Sequence, residues 1–476
     1  MPKGDDGIAI LVKPMPSVRW ALAGLSLSML LSSLGTSVAN VALPTLAQAF
    51  DASFQDVQWI VLAYLLAITT LVVSAGRLGD MIGRRRLLLI GLFVFSAASI
   101  LCGIAPTLWM LIAARAAQGF GAAVMMALTM AFVGETVPRD RTGSAMGLLG
   151  TMSALGTALG PSLGGLLIAG FGWRAIFLVN LPLGLLTLFF VGRYLPVDRP
   201  GPQVGRAGFD SVGTLLLALA LAAYALAMTL GRGSFGAVNI ALLAAAIVVI
   251  GLFVLAEARA ASPLIRLATF RDPVLDASLL ASAMVSAVMM ATLVVGPFYL
   301  ARALALDAVS VGLVVSIGPA VVALSGIPAG RIADRFGAQA MGVAGLAAIA
   351  AGSFIFAVMP MSSGVPGYIA PLVVITAAYA LFQTANNTAV MAGVRSDRRG
   401  VVSGILNLSR NLGLVTGASV MGAVFVFASG AADIATAEPL AIAAGMRMTF
   451  AVAGGLIVVA FAAVIAGRVW ARRPEG

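Results

Sequence analysis

Two arginines are the residues of this sequence that most need a chemical explanation, because each lies inside a long apolar run. Arg115 falls about seven residues into the run that starts near 108, and Arg410, in the stretch NLSRNLG, falls about ten residues into the run that starts near 400. In a helix these positions lie about 10 and 15 Å deep. A guanidinium at such a depth faces the protein interior or a wet cavity, where it either bonds uncharged oxygens or meets a ligand.

Side-chain amides lie close to both arginines. Gln118 is one helical turn after the first arginine, and Asn407 is three residues before the second, on the same helix face. Asn40 and Asn387 are further candidates for a polar site inside apolar runs. Amides within membrane helices often only bond helices together, at ~0.6 kcal/mol apiece, so that role and a place in a binding pocket both stay open.

The composition predicts that these residues belong to an all-α integral membrane protein. Of the 476 residues, 61% are hydrophobic and only 10% are charged, whereas about a quarter are charged in an ordinary soluble protein. Apolar stretches of ~20 residues predict helices, because the strands of a barrel would show ~10-residue alternating segments. The fourteen predicted spans lie near 18–41, 57–75, 87–104, 108–133, 144–169, 176–194, 211–231, 236–256, 275–299, 309–329, 340–360, 367–391, 401–428 and 446–467.

The basic residues predict the orientation of these spans. The formal net charge is +11, and cytoplasmic loops of membrane proteins hold the excess of Lys and Arg. With the N-terminus inside, 23 of the 29 basic residues fall in inner segments and four in outer ones, which leaves only the two arginines within spans. We therefore expect a multi-pass protein of the cell (inner) membrane with both termini cytoplasmic, and no nucleic-acid partner.

The residue types exclude several classes of chemistry. The sequence has no histidine, and its only cysteine is Cys102, inside an apolar run, so neither a disulfide framework nor a thiolate metal site is expected. No G-x-x-x-x-G-K-[ST] loop occurs, so the chain does not hydrolyse ATP itself. A membrane-embedded enzyme would need a grouped polar cluster, and a pore would need a charge ring or a filter loop. We expect no cofactor and no metal.

An internal repeat relates two parts of the chain. GRLGDMIGRRR (76–86) recurs as GRIADRFGAQA (330–340) at a constant offset of 254 residues. Parallel halves related by an axis along the membrane normal are a known transporter plan, with the substrate bound near midplane between them. The predicted organisation is a segment at 1–17, six-helix halves at 18–194 and 275–467, a linker with two extra spans at 195–274, and a tail at 468–476.

The first copy of the repeat is a candidate conformational switch between spans 2 and 3. Gly76 and Gly83 permit a tight turn and close helix approach, and Asp80 can accept hydrogen bonds from a helix N-terminus across the half interface. Arg77 and Arg84 would anchor the loop on the inner side. A plain solvated loop is the alternative.

A row of glycines marks the fifth span, in the stretch LGTALGPSLGG (155–165). Gly156, Gly160 and Gly164 are four residues apart, so they share one helix face, and Pro161 removes a backbone hydrogen bond nearby. Such a face lets a partner helix slide or bend. The alternative is a plain small-residue packing face.

These motifs together resemble the major facilitator superfamily. GRLGDMIGRRR resembles its signature loop, and fourteen spans with two inserted between the halves resemble its drug:proton antiporter branch. LIAARAAQGFGAA (111–123) resembles the embedded Arg-x-x-Gln-Gly element of the family, and NLSRNLG resembles an Asn-x-x-Arg-x-x-Gly pattern of the branch. The span-5 glycines and WRAIFLVNLPLG (173–184) agree with it too. The resemblance implies antiport through the glycine face, and a proton relay or substrate site that includes Arg115.

One departure from the family pattern bears on coupling. Span 1 ends LGTSVANVALPTLAQAF (34–50), with Gly35 where many members of the branch have an aspartate, and every other acid lies in a loop or within about a turn of a span end. Proton coupling would then run through a carboxylate near a membrane face, for which Asp80, Glu135 and Asp276 are the candidates and Asp276 the first choice. Two arginines without a carboxylate favour neutral or anionic amphipathic compounds over lipophilic cations.

The sequence therefore predicts a secondary exporter, driven by protons, that moves small amphipathic molecules outward by alternating access. A dedicated exporter of one endogenous metabolite or antibiotic is the alternative within transporters, and a membrane-embedded enzyme is the alternative outside them. The expected partners are the small amphipathic substrate, protons and the lipid bilayer, and the expected oligomeric state is a monomer.

Overall fold

The fold is described from a computed structural model, which covers residues 18–136, 142–198, 210–230, 236–260, 263, 272–392, 399–431, 434 and 437–471. The predicted N-terminal segment 1–17 and the end of the tail at 472–476 lie outside these ranges, as do the side chains of Arg77, Asp80 and Glu135. All secondary structure in the described part of the chain is helical. Fourteen candidate membrane spans occur there, as the sequence predicts.

The first eight spans are built from nine α-helices, because the sixth span is broken. They are α1 (Val18–Ala49), α2 (Phe54–Ile82), α3 (Arg84–Ile104), α4 (Leu108–Thr136), α5 (Thr142–Phe171), α6 (Ala175–Leu178), α7 (Asn180–Tyr194), α8 (Ser211–Thr229) and α9 (Ala237–Arg259). The break lies at Val179, between α6 and α7.

The last six spans contain two π-helical segments, which interrupt the ninth and the thirteenth. The helices are α10 (Pro273–Phe298), α11 (Ala308–Phe336), α12 (Ala338–Val358), α13 (Gly364–Ala392), α14 (Arg399–Thr416), α15 (Gly422–Ser429) and α16 (Pro439–Ala471). A π-helical segment at Tyr299–Ala303 follows α10, and a second at Gly417–Met421 joins α14 to α15.

The predicted switch loop is a helix end, which corrects the sequence-based prediction. Gly76 to Ile82 continue α2, and only Gly83, with φ 100° and ψ 126°, leaves the helical conformation before α3 begins. Gly337, at the same offset of the repeat, has φ 86° and ψ 129° between α11 and α12. Such a positive φ favours glycine. The stretch before Gly83 contains no proline, so nothing in it stops the helix earlier.

Each half has an extensive packing core. In the first half α1 packs on α5, α4 and α7, and α2 packs on α4. In the second half α10 packs on α14 and α16, and α13 packs on α11 and α12. The side of the molecule at which α1 begins and α16 ends is called the terminal side below, and the other face the opposite side.

The two halves meet on the opposite side. There the centre of the Phe54 ring lies 4.8 Å from the centre of the Phe298 ring and 5.5 Å from that of the Phe425 ring. A Cβ added to Gly165 would lie 2.5 Å from the Ala308 carbonyl oxygen, so the backbones of α5 and α11 are in direct contact.

Open space lies beside several glycines in the terminal halves of α2, α5 and α11. A Cβ added to Gly76, Gly150, Gly326 or Gly330 would have no neighbouring atom within 4 Å. These glycines lie on α2, α5 and α11, so open space adjoins those faces of the three helices towards the terminal side.

The inserted helix α8 lies against α2, and α9 packs on α8. The Ser74 and Thr214 hydroxyls are 2.9 Å apart, and the Trp59 indole donates to Thr229 Oγ1 at 3.2 Å. These hydrogen bonds join α2 to both ends of α8. These bonds attach α8 to the first half, and α8 also contacts the π-helical segment Gly417–Met421 of the second half.

Candidate functional site

Arg115 lies wholly inside the first half and bonds uncharged oxygens. It is fully buried on α4, where Nε donates to the Ile60 carbonyl oxygen at 3.0 Å and Nη1 donates to Gln118 Oε1 at 2.5 Å. The chain of bonds continues from Gln118 Nε2 to Ser99 Oγ at 2.7 Å and from that hydroxyl to the Phe95 carbonyl oxygen at 2.8 Å. Arg115 therefore ties α4 to α2 and α3.

Aromatic rings take the place of a counter-charge beside this arginine. Its guanidinium carbon lies 4.1 Å from the centre of the Tyr64 ring and 6.0 Å from that of Phe177, and the ring face attracts a cation. Among the described residues Arg115 makes no ion pair, and its Nη2 has no hydrogen-bond partner. This geometry corresponds to the structural-tie alternative, whereas a relay or substrate role stays a prediction.

Gly35 lies on the other side of the Tyr64 hydroxyl. A Cβ at this position would be 3.1 Å from Tyr64 Oη and 3.2 Å from Phe95 Cζ, so the site is closely packed. The hydroxyl itself donates to the Ser32 carbonyl oxygen at 2.8 Å. A carboxylate at position 35 would thus stand beside the ring over which Arg115 is stacked.

Arg410 is half-buried on α14, and its observed partner lies on its own helix. Nη2 donates to Asn407 Oδ1 at 3.2 Å, a residue that the sequence places on the same helix face. The adjacent face of α14 packs on α10, because Ser409 Oγ donates to the Leu279 carbonyl oxygen at 2.5 Å and a Cβ on Gly413 would run into the Ala283 carbonyl.

The candidate amides differ in their exposure. Asn40 is fully buried on α1, where Nδ2 donates to the Thr36 carbonyl oxygen at 3.2 Å and Oδ1 has no partner among the described residues. Asn387 on α13 is exposed, whereas its neighbour Asn386 is buried and donates to the Ser278 carbonyl oxygen at 3.5 Å.

Asp276 is the fourth residue of α10, about one turn from the terminal side as the sequence predicts. Its side chain is half-buried, and Oδ1 has no hydrogen-bond partner among the described residues. The neighbouring acid has a structural role, because the Asp272 carboxylate caps the helix by accepting from the Val274 and Leu275 amides. Asp276 is therefore the acid of this helix end whose carboxylate is not used as a cap.

Sequence reasoning missed Asp198, which lies just after α7. Its carboxylate accepts from the Arg85 amide at 2.8 Å and the Arg86 amide at 3.0 Å, so it caps the N-terminus of α3. A Cβ on Gly83 would collide with this carboxylate. The cap fixes the signature turn to the end of the sixth span, and the only sequence signal for it is an acid that follows that span.

The glycine face of α5 lies against α1. A Cβ on Gly156 would lie 3.0 Å from Ser33 Cβ, one on Gly160 would lie 2.8 Å from Ser37 Cβ, and one on Gly164 would lie 2.7 Å from Val41 Cγ1. Pro161 is inside α5, and its carbonyl faces Gly312 of α11. The α5 motif therefore packs within its own half through its glycines and contacts the other half at its proline.

The structure brings some of the predicted residues together and leaves others apart. Arg115 and Gln118 form one buried cluster, and Arg410 pairs with Asn407. The contacts of Arg115 all lie in the first half, so the two arginines do not share a site through any observed bond. Within the described ranges no group of three His, Cys, Asp or Glu side chains could hold a metal ion.

Known proteins resemble this chain over most of its length. The family model described as the Major Facilitator Superfamily matches residues 25–418. The drug efflux pump JefA of Mycobacterium tuberculosis is 33% identical over 430 residues, which are 88% of this chain and 82% of JefA. The riboflavin transporter RibZ of Clostridioides difficile is 28% identical over 86% of this chain and 88% of RibZ.

A solved structure has the same fold. A bacterial homolog of the human lysosomal transporter Spinster, in an inward-facing and unoccupied conformation, superposes with a TM-score of 0.69 at 17% identity. The match covers 96% of this chain and 99% of that one.

Proposed function

The chain belongs to the major facilitator superfamily and is of its drug efflux type, so it is a secondary transporter. We propose that it exports small amphipathic molecules in exchange for protons. The observation that carries the proposal is the one-sided closure of the two halves. The halves touch through Phe54 and Gly165 on the opposite side, whereas a Cβ added to Gly76, Gly150, Gly326 or Gly330 towards the terminal side would meet no neighbouring atom. A carrier that alternates between such states can load a substrate on one side and release it on the other.

The proposed orientation places the terminal side in the cytoplasm. The positive-inside distribution of Lys and Arg supports it, and the resulting state would be inward-facing, like that of the Spinster homolog. In this proposal the chain has two six-helix halves at 18–194 and 275–467, joined by a two-span linker at 195–274. The protein lies in the inner membrane of the cell as a monomer.

The proposed substrates are neutral or anionic amphipathic compounds. Arg115 has no carboxylate partner among the described residues, and Gly35 supplies none. A buried carboxylate would be the natural partner of a lipophilic cation, so its absence from this cluster favours other substrates. Export of a single endogenous metabolite is the second candidate, and the resemblance to a protein named as a riboflavin transporter favours it.

Transport by purified protein in liposomes tests this function directly. With an imposed pH gradient, we expect protons moving down their gradient to drive an anionic and a neutral dye the other way, and a cationic dye to move more slowly. Transport that does not respond to the gradient would rule out proton antiport, and a preference for the cationic dye would overturn the proposed charge selectivity. Protein-free liposomes with the same gradient are the control.

Asp276 is the proposed coupling carboxylate, because it is half-buried and Oδ1 makes no hydrogen bond within the described structure. We expect Asp276→Asn to abolish the effect of the pH gradient while substrate binding persists. Asp272→Asn is the matched control, since asparagine caps a helix about as well as aspartate. Gradient-driven transport by Asp276→Asn at the parent rate would exclude this residue.

A further inference from the structure

The contact between the halves on the opposite side includes one buried hydrogen bond. Gln58 of α2 is 1% exposed, and its Nε2 donates to the Ala418 carbonyl oxygen in the second half. Phe54, one turn earlier on the same helix, is fully buried against Phe298 and Phe425. The hydrogen bond of Gln58 thus lies next to the apolar contact of Phe54, and both join α2 to the second half.

The acceptor belongs to the π-helical segment Gly417–Met421. In an α-helix the Gly422 amide would donate to the Ala418 carbonyl four residues back, but here it donates to the Ser419 carbonyl oxygen instead. The local change of register therefore removes the α-helical donor of Ala418 O, and Gln58 supplies another. Short π-helical turns within α-helices are often found at functional sites.

Gly422 leaves the space that the amide occupies. A Cβ at this position would collide with Gln58 Nε2 and would lie 3.2 Å from a ring carbon of Phe54. Backbone conformation does not require glycine here, because φ is −63° and ψ is −42°. Glycine is required at this position by the close approach of α2.

We propose that Gln58 and the segment Gly417–Met421 form a latch that holds the two halves together on the opposite side. When the halves separate there, the Gly422 amide can return to the Ala418 carbonyl, so this oxygen has a donor in both states. The segment is then a two-state element, π-helical when latched and α-helical when open. The proposal rests on the proposed alternating-access function. In that cycle, these residues would set the relative populations of the state that is closed on the opposite side and the state that is open there.

The experiment measures distances across both sides of the molecule by pulsed electron paramagnetic resonance in lipid nanodiscs. Cys102 is the only cysteine of the chain, so Cys102→Ser gives a cysteine-free background. Exposed positions for spin labels are Phe171 and Val358 on the opposite side and Met81 and Phe336 on the terminal side, each pair joining the two halves.

We expect Gln58→Leu to increase the population with a long distance on the opposite side about threefold to tenfold, as the loss of one hydrogen bond between membrane helices predicts. The distance on the terminal side should shorten in the same fraction of the molecules. Gly422→Ala should act in the same direction, because its methyl group displaces the Gln58 amide. Gln55→Leu is the matched control: Gln55 is 8% exposed on the same helix, and no hydrogen bond from its side chain to the second half is observed in the described contacts.

Parent-like distances in both Gln58→Leu and Gly422→Ala would overturn the latch, and so would an equal shift in Gln55→Leu. If Gln58→Leu does not fold, as judged by size-exclusion chromatography, Gly422→Ala decides alone. The readout does not involve transport. A distance shift in a protein that fails the liposome assay would therefore support the latch and contradict the proposed function. Parent-like distances in a protein that passes the liposome assay would contradict the latch and support the proposed function.

Discussion

Arg115 is kept inside an apolar bundle by neutral groups. Its nitrogens donate to the Ile60 carbonyl and the Gln118 amide oxygen, and its flat face lies over the Tyr64 ring. A buried charge is tolerated when hydrogen bonds and ring electrons replace the lost water. The arrangement leaves a site with a positive charge and no described carboxylate, and a negative charge at position 35, beside the Tyr64 hydroxyl, would act on that site.

A change at Gly35 tests this reasoning at the scale of a residue. We expect Gly35→Asp to increase export of a lipophilic cationic dye about tenfold relative to an anionic one, because the new carboxylate attracts cations into the first half. Gly35→Asn has nearly the same shape without the charge and should leave the dye preference unchanged. Relative rates in liposomes provide the measurement, and a similar effect of both variants would show that shape, and not charge, matters at this position.

Helix α5 connects packing with movement at the scale of an element. Its glycines allow α1 to approach until backbone atoms touch, and Pro161 with Gly165 meets α11 of the other half. Helix α5 is therefore packed closely on α1 of its own half and in contact with α11 of the other half. We expect a change of state between the halves to alter the contact of Pro161 and Gly165 with α11.

A methyl group in this contact should loosen it. A Cβ on Gly160 would lie 2.9 Å from the Val38 amide nitrogen, so we expect Gly160→Ala to destabilise the protein by about 1–3 kcal/mol through overpacking. Gly150→Ala on the same helix is the control, because its Cβ would meet no atom within 4 Å and alanine favours a helix over glycine by up to about 1 kcal/mol. Thermal unfolding in detergent compares the two, and equal midpoints would contradict the close α1–α5 contact.

At the scale of the whole molecule, fourteen spans place the start of α1 and the end of α16 on one side. On that side Arg468, near the end of α16, donates to the Gln339 carbonyl oxygen at the start of α12, at 2.6 Å. Which side faces the cytoplasm follows from the charge distribution and is part of the proposed function.

Labelling of intact cells tests that orientation. A cysteine added at either terminus of the Cys102→Ser protein should react with a membrane-impermeant maleimide only after the cells are opened. Asp307→Cys, between spans on the opposite side and exposed, should react in intact cells. Labelling of the termini without opening the cells would reverse the proposed direction of transport.

The sequence by itself determined the class of fold. Apolar length predicted fourteen helical spans, the repeat at an offset of 254 predicted equivalent segments, which contain the turns at Gly83 and Gly337, and the i−3 spacing placed Asn407 and Arg410 on one helix face. These features depend on local periodicity and on glycine conformation, both of which are encoded in neighbouring residues. The expectation that a glycine marks the turn was wrong at Gly76, which is helical, because a glycine permits a turn without requiring one.

Only the tertiary structure decided which partners the polar residues have. The Asp198 cap joins residues 113 positions apart, and the Gln58–Ala418 bond joins residues 360 positions apart. No local pattern encodes such pairs, since they depend on how helices from different parts of the chain cross. The π-helical register of Gly417–Met421 and the need for glycine at 422 belong to the same class, because both arise from a contact with α2 in the other half.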